Sequence, residues 1–275
     1  MPADPVDLVD THCHLAADAF DDDRQAVVAR ARQAGVTACI VVGVDRQSSA
    51  AALGLARELP GWAFATAGIH PTEAEVADEA RWPAVRELLA GGACVAVGET
   101  GLDDFHRRTD TEAQVASLHR HVRAALDLDL PVILHCRDAF PRLLAELERW
   151  RGTGLRGVLH CFTGGEAEAA RLVELGLHVG VGGAATYKPN ATLRSAVRSV
   201  PDERLVLETD APWLAPVPVR GRRNEPAFVA HVAACLADDR GTDRAAFAAL
   251  TSRNARALFR FPPPGAEPTL PRGGP

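Results

Sequence analysis

Histidine and carboxylate side chains stand at the ends of apolar runs spread along this chain. The six that recur in this position are His12, His14, Glu99, His135, His160 and Asp210. Imidazole nitrogen together with carboxylate oxygen suits zinc, manganese or iron better than calcium. Carboxylates held close to one another resist ionisation unless a cation compensates their charge. If the fold brings these six side chains together, they predict a metal site.

The spacing of the first two histidines supports this interpretation. In a strand, side chains two residues apart point to the same face. His12 and His14, together with Asp10, are therefore expected on one side of their strand. His119 and His121 have the same spacing but lie in an amphipathic helical pattern, where residues two apart diverge. We assign no role to His119 and His121.

Eight apolar runs could position these side chains. Most contain Val, Ile, Leu and Ala without strict alternation, which is typical of parallel strands buried on both faces. The predicted strands are Val6–His12, Val36–Val44, Ala63–Ile69, Cys94–Glu99, Pro131–His135, Gly157–His160, His178–Gly182 and Leu205–Asp210. Amphipathic helical patterns separate them. Eight strand–helix units predict an α/β fold, a single-domain (β/α)8 TIM barrel, with an open doubly wound sheet as the alternative.

The composition, with 47% of the 275 residues hydrophobic and 24% charged, suits one large globular domain or two small ones, and the pattern along the chain shows no second domain. We expect the barrel to span residues 1–261 and the Pro- and Gly-rich residues 262–275 to form a disordered tail. The six cysteines include no C-x-x-C pair, which argues against a disulfide framework or a structural zinc site. No apolar run approaches the roughly 18 residues of a membrane span. No basic signal follows Met1, so a cytoplasmic location without membrane contact is expected.

A barrel would gather the six side chains at the carboxyl ends of its strands, where active sites of this fold form. Six ligands are too many for one open catalytic ion and suit two ions, about 3.5–4 Å apart. Glu99 stands alone on the fourth predicted strand, between the two groups of ligands, and is expected to bridge them. Asp10 and Glu208 are candidates to orient the ligand histidines. Zinc, manganese, magnesium and iron all remain open as the metal.

Three further residues are candidates for substrate binding. His70 follows the third predicted strand and either faces the substrate or is held as a turn residue by Pro71. Arg223 and Asn224 lie in the long loop after the eighth strand, which would overhang the same face of the barrel. They could bind an anion, and the alternative is a solvated charge run. The net charge of -6 argues against an extended phosphate-binding face but not against a local phosphate site.

The motifs, taken in order, resemble those of the TatD family of metal-dependent nucleases within the amidohydrolase-like barrels. The matching stretches are Asp10–Leu15, Gly68–Pro71, Gly98–Asp103, His135–Ala139, His160–Phe162, Leu207–Pro212 and Arg223–Pro226. The resemblance implies hydrolysis of nucleic-acid phosphodiesters, commonly as a DNase. It also implies two ligand sets that share Glu99, namely His12, His14 and Asp210 for one ion and His135 and His160 for the other.

The lysine content helps to decide to which branch of the superfamily the chain is similar. Related phosphotriesterase-type barrels bridge their two ions through a carboxylated lysine. Lys188 is the only lysine of this chain and lies after the seventh predicted strand, whereas Glu99 ends the fourth. This pattern favours the TatD branch over the phosphotriesterase and lactonase branch.

These observations predict a hydrolase that uses two divalent ions, with Asp210 as both ligand and general base. The predicted substrate is nucleic acid, and the predicted activity is that of a DNase, a 3′-end exonuclease on single-stranded DNA. A hydrolase of an acyl, amide or lactone bond, on a small molecule or an aminoacyl ester, is the alternative. The complete ligand set disfavours a barrel that only binds metal or a partner. The oligomeric state is open, and a monomer is compatible with the sequence.

Overall fold

The computed structural model describes residues 7–74, 78–106 and 108–262. Within them, eight parallel strands form one sheet whose neighbours follow the order of the chain. The strands are β1 (Leu8–Cys13), β2 (Val36–Val41), β3 (Ala63–Ala67), β4 (Cys94–Asp103), β5 (Val132–Arg137), β6 (Gly157–Leu159), β7 (His178–Val181) and β8 (Leu205–Leu207). A bridge between Cys13 and Ala211 joins β1 to the chain after β8. The prediction of a (β/α)8 barrel is confirmed, and the doubly wound alternative, whose strand order would reverse, is wrong.

Helices alternate with the strands and cover the outside of the barrel. They are α1 (Arg24–Gln33), α2 (Arg46–Glu58), α3 (Asp78–Ala90), α4 (Thr111–Asp127), α5 (Phe140–Glu148), α6 (Glu166–Glu174), α7 (Ala191–Ser199), α8 (Val229–Arg240) and α9 (Arg244–Phe259). Among the described residues, none of the helices has the length and apolar character needed to cross a membrane.

Apolar side chains fill the barrel below the site, as packed layers do in this fold. The buried residues of this inner cluster include Val9, Ala38, Ile40, Ala96, Ile133, Val158, Val206, Phe259 and Phe261. Phe261 stacks on Phe64 with ring centroids 4.4 Å apart, so the chain after α9 packs against the barrel. The predicted disordered tail, residues 262–275, lies outside the described residues except for Pro262.

β4 extends further than its sequence indicates. The predicted strand ends at Glu99, whereas β4 continues to Asp103 and pairs Gly101 with His135 on β5. Glycine permits this continuation, because Gly101 has a φ of 148° and a Cβ there would collide with the His135 carbonyl. Glu99 therefore lies within the strand, at a register irregularity between Val97 and Thr100, rather than at its end.

Candidate metal centre

Glu99 lies among imidazoles at the carboxyl ends of the strands. Its Oε2 atom is 3.3 Å from Nε2 of His12 and 3.7 Å from Nε2 of His14. Oδ1 of Asp210 is 3.8 Å and 3.6 Å from the same two nitrogens. The two nitrogens are themselves 3.1 Å apart. Four ligand-type atoms, from β1 and the residue that follows it, from β4 and from the segment after β8, thus face one small volume.

The other oxygen of the same carboxylate faces a second group. Oε1 of Glu99 is 2.9 Å from Nε2 of His160 and 3.1 Å from Nδ1 of His135. These two nitrogens are 3.3 Å apart. Nε2 of His70 lies 3.3 Å from the same oxygen. One carboxylate therefore lies between two groups of imidazoles, which adjoin where the rings of His12 and His160 stack with centroids 3.8 Å apart.

The donor set fits divalent metal ions. Metal binding requires unprotonated imidazole and ionised carboxylate. Burial lowers the pKa of His12, which keeps its ring neutral. Burial alone would also lower the pKa of His160, but the charge of Glu99 raises it well above its usual range, so a cation bound there would take the place of a proton. Although burial alone would raise the pKa of Glu99, the charge of His160 and the hydrogen bond with His12 hold that pKa well below its usual range. Imidazole nitrogens and carboxylate oxygens at these distances direct their electron pairs into the same space, and a cation between them would bind to them.

Asp103 orients one of the predicted ligands, and the sequence analysis missed this role. Its Oδ2 accepts from Nε2 of His135 at 3.1 Å and lies 2.7 Å from Nδ1 of His106. Although burial alone would raise the pKa of Asp103, hydrogen bonds from His135 and His106 hold it below its usual range. A proton on Nε2 of His135 leaves Nδ1 free to bind a metal. The available signal was the position of Asp103 as the last residue of the Gly98–Asp103 motif.

The two carboxylates proposed to orient ligand histidines have different surroundings. Asp10 accepts from the Thr209 backbone at 2.9 Å, the Thr209 hydroxyl at 2.6 Å and the His12 backbone at 3.3 Å. It therefore ties β1 to the segment that carries Asp210, although burial raises its pKa to about 8. Glu208 accepts from the Cys161 backbone at 2.5 Å and lies 3.5 Å from Nδ1 of His160.

His70 caps a turn and also lies beside Glu99. Its Nδ1 accepts from the Thr72 backbone N–H at 3.1 Å, which caps the short helical turn Pro71–Glu73. Burial lowers the pKa of His70, so the ring is neutral at pH 7 and its single proton lies on Nε2. That N–H points toward Glu99 and the adjoining cavity.

The other two candidates for substrate binding, Arg223 and Asn224, form hydrogen bonds within the protein. Arg223 donates to the Ala19 carbonyl at 2.5 Å and to Asp23 at 2.7 Å, and it lies over the Phe20 ring. Asn224 is buried and donates to the carbonyls of Thr209 and Trp213 at 2.8 and 2.6 Å. Neither residue lines the cavity at the metal centre.

A cavity of about 700 Å³ opens above the second group of imidazoles. His70, His135, His160 and Asp210 form part of its lining. The lining also includes side chains that the sequence analysis did not single out, namely Phe105, Arg108, Arg137, Tyr187 and Trp213. Its volume is within the roughly 300–1,000 Å³ of small-molecule sites, and the two arginines provide positive charge.

A (β/α)8 barrel with clustered imidazoles and carboxylates at the carboxyl ends of its strands defines the class of metal-dependent hydrolases. The profile of the family described as TatD related DNase matches residues 9–260. The chain therefore belongs to this family, as the ordered motifs predicted.

Individual relatives support the assignment. A protein of Edwardsiella piscicida named 3'-5' ssDNA/RNA exonuclease TatD is 40% identical over 92% of this chain and 100% of its own length. A protein of the same name from Erwinia amylovora is 38% identical over 92% of this chain and 99% of its own. The crystal structure of YJJV, a TATD homolog from Escherichia coli, is 34% identical, covers 93% of this chain and 98% of its own, and superposes with a TM-score of 0.85.

Proposed function

We propose that the chain is a two-metal exonuclease that removes nucleotides from the 3′ end of single-stranded nucleic acid, with DNA as its main substrate. The observation that carries this proposal is the position of Glu99, whose Oε2 faces His12 and His14 and whose Oε1 faces His135 and His160. Paired ions of this kind suit the in-line displacement of phosphoryl transfer. Relatives of nearly the same length, 38% and 40% identical, are named 3'-5' ssDNA/RNA exonucleases.

The proposed ligands follow from the distances around Glu99. One ion is assigned to His12, His14 and Asp210, the other to His135 and His160, and Glu99 to both. Zinc, manganese, magnesium and iron are the candidate metals. When bound, the two ions would make hydroxide available near neutral pH and offset charge on the phosphate.

The protein side chains supply positioning and proton transfer. Asp210 lines the cavity and is the proposed general base that accepts a proton from the attacking water. The Nε2–H of His70 lies 3.3 Å from Oε1 of Glu99 at the wall of the cavity, where it would be shared between that oxygen and a phosphate oxygen of the substrate. Asp103 holds His135 in the tautomer that leaves Nδ1 free. Arg108 and Arg137 line the cavity where the phosphates of the substrate would lie.

A substrate panel tests the proposed function. The purified chain is given single-stranded DNA labelled at either end, duplex DNA, RNA, and small ester and lactone substrates, all with the same manganese or magnesium concentration. We expect mononucleotides released stepwise from the 3′ end of single strands, and loss of this activity after treatment with a strong chelator. Asp210→Asn provides the matched inactive control. Turnover of an ester or lactone without nucleotide release would overturn the proposal.

A further inference from the structure

Exposed aromatic rings are concentrated at the mouth of the cavity. Among the described residues, four large hydrophobic side chains are exposed: Phe105 at 55%, Trp213 at 54%, Leu214 at 37% and Val217 at 46%. Phe105, Trp213 and Leu214 all line the cavity above the metal centre. Apolar surface left open beside a site is typical of a binding surface.

The two aromatic residues lie on opposite sides of this mouth. Phe105 follows β4, and Trp213 follows β8. In a barrel of eight strands in sequential order, β4 and β8 are four positions apart, which is the largest separation around the ring. The cavity that both rings line is also lined by His135, His160 and Asp210.

Trp213 is exposed although its backbone is firmly held. Its N–H donates to the Asp210 carbonyl at 2.9 Å, and its carbonyl accepts from the buried Asn224 amide at 2.6 Å. Its ring packs edge-on against His14 with centroids 4.9 Å apart. The loop thus fixes the ring beside a proposed metal ligand and leaves half of the side chain open. Asn224 acts here as a positioning residue.

Phe105 is held in a similar way on the other side. Its backbone N–H donates to Oδ1 of the buried Asp103 at 3.0 Å. The Arg137 guanidinium lies over its ring, 4.7 Å from the centroid. A ring beside a guanidinium offers both a stacking surface and a positive charge for a neighbouring phosphate.

We propose that Phe105 and Trp213 are stacking platforms for the bases of the nucleotides at the 3′ end of the substrate. This inference rests on the proposed function and deepens it, because it names what the enzyme recognises besides the phosphodiester. Every base has a π face, so stacking on aromatic rings accepts any sequence but requires a single strand with unpaired bases. Acyl and lactone substrates without an aromatic ring would gain no stacking from the two platforms.

Equilibrium binding tests the platforms without any turnover. The probe is a short single-stranded phosphorothioate oligothymidylate, which resists hydrolysis, and the matched probe lacks the bases of its two 3′-terminal nucleotides. We expect the base-bearing probe to bind more tightly than the abasic probe when binding is followed by the fluorescence anisotropy of a label on the probe, which also serves for variants of Trp213. In the wild type the base-bearing probe should in addition quench tryptophan fluorescence. Equal affinity for the two probes would overturn the proposal.

Variants separate stacking from general apolar contact. Phe105→Leu and Trp213→Leu keep an apolar side chain but remove the ring, and each should bind the base-bearing probe about fivefold to 100-fold more weakly. Their affinity for the abasic probe should not change. Phe105→Tyr and Trp213→Phe keep a ring and should restore binding. Val217→Ala is the matched control, because Val217 is exposed but does not line the cavity.

The outcomes for binding and for hydrolysis are distinguishable. Base-dependent quenching by a protein that releases no nucleotide would support the platforms and contradict the nuclease function. Nucleotide release with the same Michaelis constant in wild type and in both leucine variants would overturn the platforms and sustain the nuclease function.

Discussion

Acidification should destabilise the fold through a buried histidine on α4. His121 donates from Nδ1 to the Ser117 carbonyl at 2.7 Å and accepts at Nε2 from the Ile69 N–H at 2.9 Å. The neutral ring thereby holds the backbone next to His70. Burial lowers the pKa of His121 from 6.5 to about 4. Protonation would place a charge in the core. It would also put a proton on Nε2, which could then no longer accept the hydrogen bond from the Ile69 N–H.

The two pKa values fix the sign and the size of this effect. The pKa in the folded state lies below the unfolded value, so the unfolded chain binds more protons as the pH falls from 6.5 toward 4. Stability is therefore complete above this window and is lost as the pH falls through it. A shift of about 2.5 pKa units corresponds to about 3 kcal/mol in total, of which about 2 kcal/mol is lost between pH 7 and pH 5.

Urea unfolding of the chelator-treated wild type and His121→Gln at both pH values measures the contribution of this one residue. Glutamine can accept from Ile69 and donate to Ser117 but does not titrate. The variant should therefore lose about 2 kcal/mol less stability on acidification than the wild type. Equal losses in the two proteins would refute the assignment of His121 as a buried neutral acceptor.

Three further predictions concern the site and the strand that carries it. Asp103→Asn removes the charge that fixes the tautomer of His135, so metal titration should show affinity about 10- to 100-fold weaker for one ion only; equal weakening of both ions would contradict this role. Asp210→Asn should lower turnover by about 10²–10⁴ with a smaller change in metal content by elemental analysis, and near-wild-type turnover would exclude Asp210 as the base. Gly101→Ala should destabilise the fold by at least about 1–3 kcal/mol in thermal unfolding, because an added Cβ collides with backbone. Gly54→Ala, inside α2 with open space around an added Cβ, should instead stabilise the fold by about 0.5–1 kcal/mol, and similar effects of the two substitutions would contradict the strain at Gly101.

The barrel was predictable because its strands are apolar on both faces and alternate with helical patterns. The end of β4 was not, because Gly101, just after the predicted end at Glu99, resembles a strand breaker in sequence. In the structure Gly101 has a positive φ value and continues the strand beside β5. A local pattern cannot distinguish a glycine that ends a strand from one that allows close approach to a neighbouring strand.

The side chains proposed as metal ligands were more predictable than those proposed to contact substrate. A ligand such as His135 stands at the end of its own strand, so the fold alone brings it to the others. The contact of Asp103 with His135 depends on the register between β4 and β5. Arg223 was singled out for its charge, but its partner Asp23 lies 200 residues away in sequence, so the pairing is visible only in the structure.

The bridging position of Glu99 is the central claim, and anomalous diffraction from metal-loaded crystals tests it most directly. Data would be compared for the wild type, Glu99→Ala and His160→Ala. Two peaks are expected in the wild type, loss or strong weakening of both in Glu99→Ala, and weakening of mainly one in His160→Ala. Two peaks at full occupancy in Glu99→Ala would contradict the account.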